Sequence, residues 1–229
     1  MTTTTPSRRS ATVAAIKATA RRLLRSGGPA AISLRAIARE MGMTAPAIYR
    51  YFPGLDALVV DLTGDLFAEL RDAVDRPGDD DPLVRLAEMG RRFRRWALAN
   101  PGEFALAFGS PVPGVTQFDR HCLELTDGGA RFGEVFLDTI AAVYAVHPPP
   151  PMPANLGDPG FLAALQPYRD AHGDRFPLPV VSAFLIGWTR LYGLVAIEVF
   201  GHLRWAVTDV EPLFEAELSR TITGMTGGA

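Results

Sequence analysis

The chain has 229 residues, a length that fits one large domain or a small domain joined to a medium one. Hydrophobic residues make up 48% and charged residues 21%, which excludes an intrinsically disordered chain. The single cysteine, Cys122, excludes an internal disulfide and a thiolate metal cluster, and it is consistent with a reducing cytoplasm. No apolar run follows the basic start at Arg8 and Arg9, so we expect a cytoplasmic protein without a signal peptide.

Charge is divided unevenly along the chain. Residues 1–54 carry nine Lys or Arg and one acidic residue, a net charge of plus eight, so the remaining residues carry minus ten. Such a basic segment indicates contact with a polyanion, because neutralised phosphates release condensed counterions and drive binding. The alternative is a basic face that is merely solvated.

Three helices are predicted in this basic segment. The first has apolar residues at helical spacing and ends at Gly27, Gly28 and Pro29. Ser33 is a good N-cap for a second helix of about two turns, and Gly42 can take the positive φ that ends it. Thr44 is the expected cap of a third helix that runs to about Tyr51 and has Pro46 in its first turn. The apolar positions predicted to form the core are Ile16, Ala20, Leu24, Leu34, Ile37, Ala38, Ile48, Phe52 and Leu58.

The rest of the chain predicts further helices and no strand. An amphipathic helix follows from Leu55 to Val74, and we place the domain boundary near Phe52. Later helices are predicted over 83–98, 102–108, 115–146 with a kink near Gly128, 161–171, 179–200, and from Asp209 or Pro212 to Gly224. Residues 147–153 contain five prolines and cannot be helical. The fold expected is all-α, with residues 1–53 as a three-helix domain and residues 54–229 as a larger helical domain.

The second and third helices carry the functional signal. A short helix, a tight glycine turn and a second short helix behind a longer first one fit the major groove of B-DNA. Between Ile32 and Phe52 the residues read ISLRAIAREMGMTAPAIYRYF, followed by PGLDAL. This closely resembles the helix-turn-helix signature of the TetR family of transcriptional regulators.

The resemblance implies roles for individual residues. Thr44 to Arg50 would form the recognition helix, Tyr49 would bind phosphate, and Ser33 would cap the second helix and donate to a phosphate. The full set of implied DNA-binding residues is Arg8, Arg9, Ser33, Arg35, Thr44, Ala45, Pro46, Ala47, Tyr49, Arg50 and Tyr51. For Tyr49 the alternative is a packing role, and for Arg35 and Arg50 it is a solvated charge.

Two positions depart from the family pattern. Leu55 stands where the family usually has a phosphate-binding lysine, and Tyr51 stands where a histidine is usual. One phosphate contact is therefore missing, and Arg8, Arg9, Arg50 or Tyr51 could compensate for it. Ala45, Pro46 and Ala47 cannot read bases by hydrogen bonds, so direct readout would depend on Thr44, Arg50, Arg35 or methyl contacts.

A second resemblance lies near the C-terminus. Gly187-Trp188-Thr189-Arg190-Leu191-Tyr192-Gly193 looks like the tryptophan-histidine-glycine segment of one TetR subclass, with Tyr192 in place of the histidine. It implies that the last two long helices form a two-fold dimer interface, which predicts a homodimer and a palindromic DNA operator. The candidate interface residues are Trp188, Leu191, Leu194, Val195 and Phe214.

The middle helices suggest a pocket for a small, mainly apolar ligand. Its candidate lining residues are Phe93, Trp96, Phe104, Phe108, Phe118 and Cys122, with His121 and Tyr144 as polar handles. The alternative for each aromatic is ordinary core packing. The function expected is a repressor that an unknown effector releases from DNA by a population shift. A regulator without a small ligand, controlled by a protein partner, or an activator, is the alternative.

Other functional classes find little support. Cys122 and its neighbour His121 are the residues best suited to catalysis. Adjacent residues on a helix point about 100 degrees apart, however, so these two do not form a pair of nucleophile and base. No catalytic or nucleotide-binding motif is present, so we expect no enzyme, no cofactor and no metal site. Leu178 to Phe200 is long enough to cross a bilayer, but Arg190 and Glu198 would be costly there, so we expect a buried helix and no membrane partner.

Overall fold

Short-range helical signals in the sequence are reproduced in the computed structural model, which describes residues 8–76, 80–109, 112, 127–151, 154–172 and 174–227. Within these ranges the regular secondary structure is helical and contains no strand, which confirms the all-α prediction. The helices are α1 Arg8–Gly27, α2 Leu34–Glu40, α3 Ala45–Tyr49, α4 Leu55–Val74, α5 Pro82–Ala99, α6 Pro101–Ala107, α7 Asp127–Val146, α8 Pro159–Ala171, α9 Leu178–Val199 and α10 Glu211–Met225, with 3-10 turns at Pro29–Ala31 and Ala154–Gly157.

Most observed helix ends lie close to the predicted ones, and the clearest difference is the start of α8. The helix begins at Pro159 and not at Phe161, because the Asp158 carboxylate accepts hydrogen bonds from the backbone N–H groups of Gly160 and Phe161 at 2.8 and 3.3 Å. Such a cap satisfies donors that the first helical turn leaves unpaired. Of the predicted 115–146 helix, residues 115–126 lie outside the described residues.

The chain divides into two compact units, residues 1–71 with 97–132 and residues 72–96 with 133–229. The first unit has a core in which α1 to α4 and α6 meet, and all nine positions predicted from periodicity are buried there. The core members are Ile16, Ala20, Leu24, Ile32, Leu34, Ile37, Ala38, Ile48, Phe52, Leu58, Val59, Leu62, Leu66, Leu106 and Val112.

Ion pairs hold α1 against its neighbours in the first unit. Lys17 Nζ lies 2.6 Å from Asp65 and 3.2 Å from Asp61 on α4. Burial opposes the charge of Lys17, but hydrogen bonding and attraction from the two carboxylates outweigh it and raise the lysine pKa. Arg25 Nε donates to the fully buried carboxylate of Glu103 on α6 at 2.6 Å. The basic face of α1 is therefore partly consumed by structural contacts.

A close backbone approach also joins α1 and α6. A Cβ on Gly102 would lie 2.8 Å from the Leu24 carbonyl oxygen, closer than van der Waals contact allows. Alanine favours a helix by about 1 kcal/mol over glycine, but overpacking costs about 1–3 kcal/mol. We expect Gly102→Ala to lower the free energy of unfolding by up to about 2 kcal/mol in urea titrations. Gly54→Ala, where a Cβ meets nothing within 4 Å, is the control, and equal stability of the two variants would contradict the close approach.

In the second unit, arginines of α5 bind carboxylates of the last two helices. Arg94 donates two hydrogen bonds of 2.7 Å to Glu198 near the end of α9, and Arg91 holds Glu215 of α10. Among the described residues, α9 is the one helix long and apolar enough to cross a membrane, and one such helix is weak evidence for a span. Four of its residues are buried, Val180, Val181, Ser182 and Val195, and most of the others are half-buried, so α9 is buried less completely than the sequence led us to expect.

Candidate nucleic-acid interface

The turn between α2 and α3 is determined by local hydrogen bonds. Ser33 accepts a 3.1 Å bond from the backbone N–H of Ala36 and so caps α2, as predicted. At the other end Gly42 adopts φ +63°, and the Met43 N–H donates to the Ala38 carbonyl at 2.8 Å. With the bond that the Gly42 N–H donates to the Arg39 carbonyl at 3.3 Å, the Met43 bond forms a Schellman motif, which reverses the chain in a few residues and directs it into α3.

α3 begins in a different way from α2. Thr44 occupies the N-cap position, but the predicted side-chain cap is not formed. The reason is Pro46, which has no N–H to offer, while the Ala47 N–H already donates to the Thr44 backbone carbonyl at 2.9 Å. The exposed Thr44 hydroxyl therefore makes no capping bond at the start of the predicted recognition helix.

The two sides of α3 differ in burial. Ile48 is fully buried and Phe52, just beyond the helix, is 5% exposed, so both anchor it in the first-unit core. On the other side Tyr49 is 54% exposed, and Pro46 and Arg50 are also exposed. Ala47 is half-buried, and the side chain of Ala45 lies outside the described residues. Tyr49 is thus displayed to solvent and not packed in the core.

The nine basic residues of the N-terminal segment fall into two groups. Four on α1 bind carboxylates of the first unit: Lys17, Arg21, Arg22 and Arg25. The other five are exposed, and in the described ranges no ion pair joins them to a carboxylate: Arg8, Arg9, Arg35, Arg39 and Arg50. These five arginines remain available to an external anion.

Arg39 was not predicted from the sequence as a DNA-binding residue. It follows Arg35 by four positions on α2, so both side chains lie on one face of that helix. The sequence signal that could have identified Arg39 is its spacing of four residues from Arg35, on a helix whose apolar residues lie on another face.

Tyr51 connects the end of α3 to the start of α1. The guanidinium of Arg9 stands over its ring, 5.5 Å from the centroid, and the ring packs partly buried against the core. Such a cation–π contact orients the arginine without neutralising it. Leu55, the first residue of α4, stands where the family has lysine. Its apolar side chain packs against the core and offers no cation to DNA.

The predicted pocket residues belong to separate units. Phe104 and Phe108 lie in the first unit with ring centroids 4.9 Å apart, and Phe67 contacts Phe108 at 5.5 Å. In the second unit the Phe93 ring lies 5.3 Å from Trp188, and Trp96 and Tyr144 also belong there. Phe118, His121 and Cys122 lie outside the described residues.

The predicted interface residues separate by burial. Trp188, Leu191 and Leu194 line an open groove between α9 and α10. Val195 and Phe214 are 0% and 1% exposed within the single chain, because α9 and α10 pack on each other and on α5. Val195 does not line the groove, whereas the buried Phe214 does.

Comparison with known proteins finds family matches for both the N-terminal and the C-terminal part of the chain. Residues 16–62 match the family model described as bacterial regulatory proteins of the tetR family, and residues 86–221 match the model described as a tetracyclin repressor-like C-terminal domain. The HTH-type transcriptional regulators Rv1816 of Mycobacterium tuberculosis and Mb1846 of Mycobacterium bovis are each 36% identical over 215 residues, covering 86% of this chain and 85% of the relative.

Solved structures agree with these matches. The crystal structure of the protein SCO4313 is 32% identical, covers 95% of this chain and 98% of its own, and has a TM-score of 0.72. TetR from Acinetobacter baumannii AYE has the same fold at 17% identity, 93% and 95% coverage and a TM-score of 0.53. The relatives are transcriptional regulators, which confirms the prediction that the chain is not an enzyme. The chain belongs to the TetR family of helix-turn-helix, DNA-binding transcriptional regulators.

Proposed function

We propose that this regulator is a cytoplasmic homodimeric repressor that binds a palindromic operator through α2 and α3 and is released by a small, mainly apolar ligand. The observation that carries the DNA-binding assignment is the group of five exposed arginines without a carboxylate partner in the described ranges. Cations that the protein does not neutralise itself gain most from phosphate, since the counterions of DNA are released on binding.

The roles of individual residues follow from their exposure. Tyr49, Ser33 and the arginines would donate to phosphate oxygens and set the register of the protein on the duplex. Thr44, Arg35 and Arg50 would read base edges, with Ala45, Pro46 and Ala47 in methyl contact with the groove. Arg8 would reach the adjacent backbone from the start of α1, and Arg9 stacked on Tyr51 would take the role of the missing lysine at Leu55. Arg39 is added to this set.

Dimerisation would use the uncovered face of α9 and α10. The groove lined by Trp188, Leu191 and Leu194 supports this assignment, because a partner surface would remove these half-buried apolar side chains from their remaining contact with water. A two-fold dimer would hold the recognition helices about one DNA turn apart, roughly 34–36 Å. We propose residues 1–53 as the DNA-binding domain and residues 54–229 as the dimerisation and sensing domain, in the tryptophan-histidine-glycine subclass.

Release from DNA would follow the binding of a ligand among the aromatic side chains of the middle helices. The candidate lining residues are Phe104 and Phe108 in the first unit and, separately, Phe93, Trp96 and Tyr144 in the second, while Phe118, His121 and Cys122 lie outside the described residues. The dimer would also have a form in which the spacing of its recognition helices does not match the operator. An effector that binds this form more tightly would raise its share and so release the protein from DNA. Screening compounds for a change in operator affinity tests this step, and a regulator that no compound affects would favour control by a protein partner.

DNA binding is tested with the purified dimer and labelled DNA from its own upstream intergenic region over a salt series. We expect Tyr49→Ala and Arg50→Ala each to weaken binding, and Arg50→Ala to reduce the slope of log affinity against log salt by about 2, since each of the two protomers loses one cation at the DNA.

Arg22→Ala is the matched control, because Arg22 is an exposed arginine of the same unit already paired with Glu40 at 3.0 Å. We expect its salt slope to equal that of the wild type. Equal losses for Arg22→Ala and Arg50→Ala would contradict the division of the arginines into paired and available groups.

A further inference from the structure

The groove between α9 and α10 combines an apolar surface with two opposite charges. Sixteen residues line it, contributed by α5, α7, α9 and α10, and two of them are charged: Arg190 on α9 and Glu217 on α10. No side chain stands within 4 Å of a Cβ placed on Gly193 of α9 or Gly224 of α10, so both helices have open surface. The groove is therefore open and apolar, and its lining includes one cation and one anion.

Neither charge is satisfied by a strong contact within the chain. In the ranges that the structure describes, no hydrogen bond or ion pair involves the exposed Arg190 guanidinium. Glu217 has an ion pair with Arg220, one turn along the same helix and 69% exposed, which is a weak surface contact. The Glu217 carboxylate thus keeps acceptor capacity for another donor.

If a second copy of the chain covers this face, the Arg190 guanidinium is removed from water. An unpaired guanidinium is costly to remove from water, so a partner surface that covers it must supply an anion. In a two-fold interface the same patch appears on both protomers, and a residue i that contacts residue j of the partner is matched by j contacting i. The anion that lines the same groove is Glu217.

We infer that, in the dimer, Arg190 of each protomer forms an ion pair with the partner's Glu217. This inference rests on the proposed homodimer and names the contact that fixes the register of its helices. Two such pairs per dimer would disfavour registers in which like charges face each other. The same pairs would discriminate this protomer from other regulators with a similar apolar face.

Charge reversal tests the pairing in the full-length protein by sedimentation velocity at falling concentration. Arg190→Glu and Glu217→Arg each place like charges opposite one another twice, so we expect each to raise the dimer dissociation constant by about 100-fold or more. The double variant Arg190→Glu/Glu217→Arg restores both pairs, and we expect it to dimerise within about tenfold of the wild type.

A mixture of the two single variants gives the sharper result. One variant then carries acids at both positions and the other arginines at both, so a one-to-one mixture is expected to form heterodimers with two complementary pairs. If the double variant dimerises but the mixture does not, the pair lies within one chain and the inference is overturned. Wild-type affinity in both single variants also overturns it while leaving the homodimer intact, whereas a monomeric wild type refutes the homodimer itself.

Arg175→Glu provides a control with the same change in net charge as Arg190→Glu, at an exposed arginine of the second unit that pairs with Asp138 and does not line the groove. We expect it to dimerise like the wild type. Should a reversal variant fail to fold by thermal unfolding, Arg190→Gln and Glu217→Gln replace it. Pairing predicts about a tenfold weaker dimer for each, and an unchanged dissociation constant overturns the pairing.

Discussion

Replacing Ile48 with alanine is expected to lower the free energy of unfolding by about 2–5 kcal/mol and to abolish specific DNA binding. α3 has five residues and lacks a side-chain cap, and a helix that short is not stable without tertiary contacts. Ile48, which is fully buried, is the helix residue that joins α3 to the core of the first unit. Its loss removes apolar burial and leaves a cavity beneath the DNA-facing surface.

Two substitutions separate the stability effect from the DNA-binding effect. Ile48→Val removes one methylene group and should cost about 0.5–1.5 kcal/mol in denaturant titrations while keeping operator affinity measurable. Tyr49→Ala, at a neighbouring exposed position, should change stability by no more than about 0.5 kcal/mol and yet weaken DNA binding. Wild-type stability and operator affinity in Ile48→Ala would show that α3 is not positioned by this side chain.

Glu198→Ala is expected to destabilise the second unit by about 3–5 kcal/mol. Arg94 donates two hydrogen bonds to Glu198, and their side chains are only 11% and 10% exposed. Hydrogen bonding to Glu198 is also the main cause that raises the Arg94 pKa. Without Glu198 the guanidinium stays buried above the Phe214 ring, and the remaining carboxylate, Glu211, is 3.4 Å away and largely exposed.

Two controls define the cause of that loss. Asp75→Ala breaks an Arg85–Asp75 pair in which both side chains are exposed, and it should cost no more than about 1 kcal/mol. Replacing both members of the buried pair, as Arg94→Met with Glu198→Leu, should cost less than Glu198→Ala alone, because no unpaired charge is left inside. If Glu198→Ala and Asp75→Ala lose the same stability in urea, the buried pair does not hold α9 on α5.

Local sequence signals predicted the helix-turn-helix well because they act over three or four residues. Ser33 caps α2 and Gly42 takes the positive φ that its turn requires, both as expected. Thr44 shows the limit of this reasoning. Its cap depended on a donor two or three residues later, and Pro46 removes one donor while the backbone uses the other. The residue type was right for a cap, but the neighbouring residues excluded it.

The net charge of the N-terminal segment could be predicted from the sequence, but which of its basic residues are neutralised by the protein could not. A net charge of plus eight over residues 1–54 indicated a polyanion partner, yet it could not tell Arg25, which binds the buried Glu103, from Arg50, which has no carboxylate partner in the described part of the chain. Burial likewise separated Val195, which does not line the groove, from Trp188, Leu191 and Leu194, which do. Apolar character alone does not distinguish a residue beneath a surface from one on it.

The sequence by itself determined the all-helical class, the core of the first unit and the helix-turn-helix, because periodicity and capping depend on residues a few positions apart. Only the tertiary structure decided which charges are neutralised and which apolar faces stay open. The partners involved are distant in the chain: Arg25 and Glu103 are separated by 78 positions, and Arg94 and Glu198 by 104. Such pairs form when packed helices bring them together, and no local pattern specifies which helices those are.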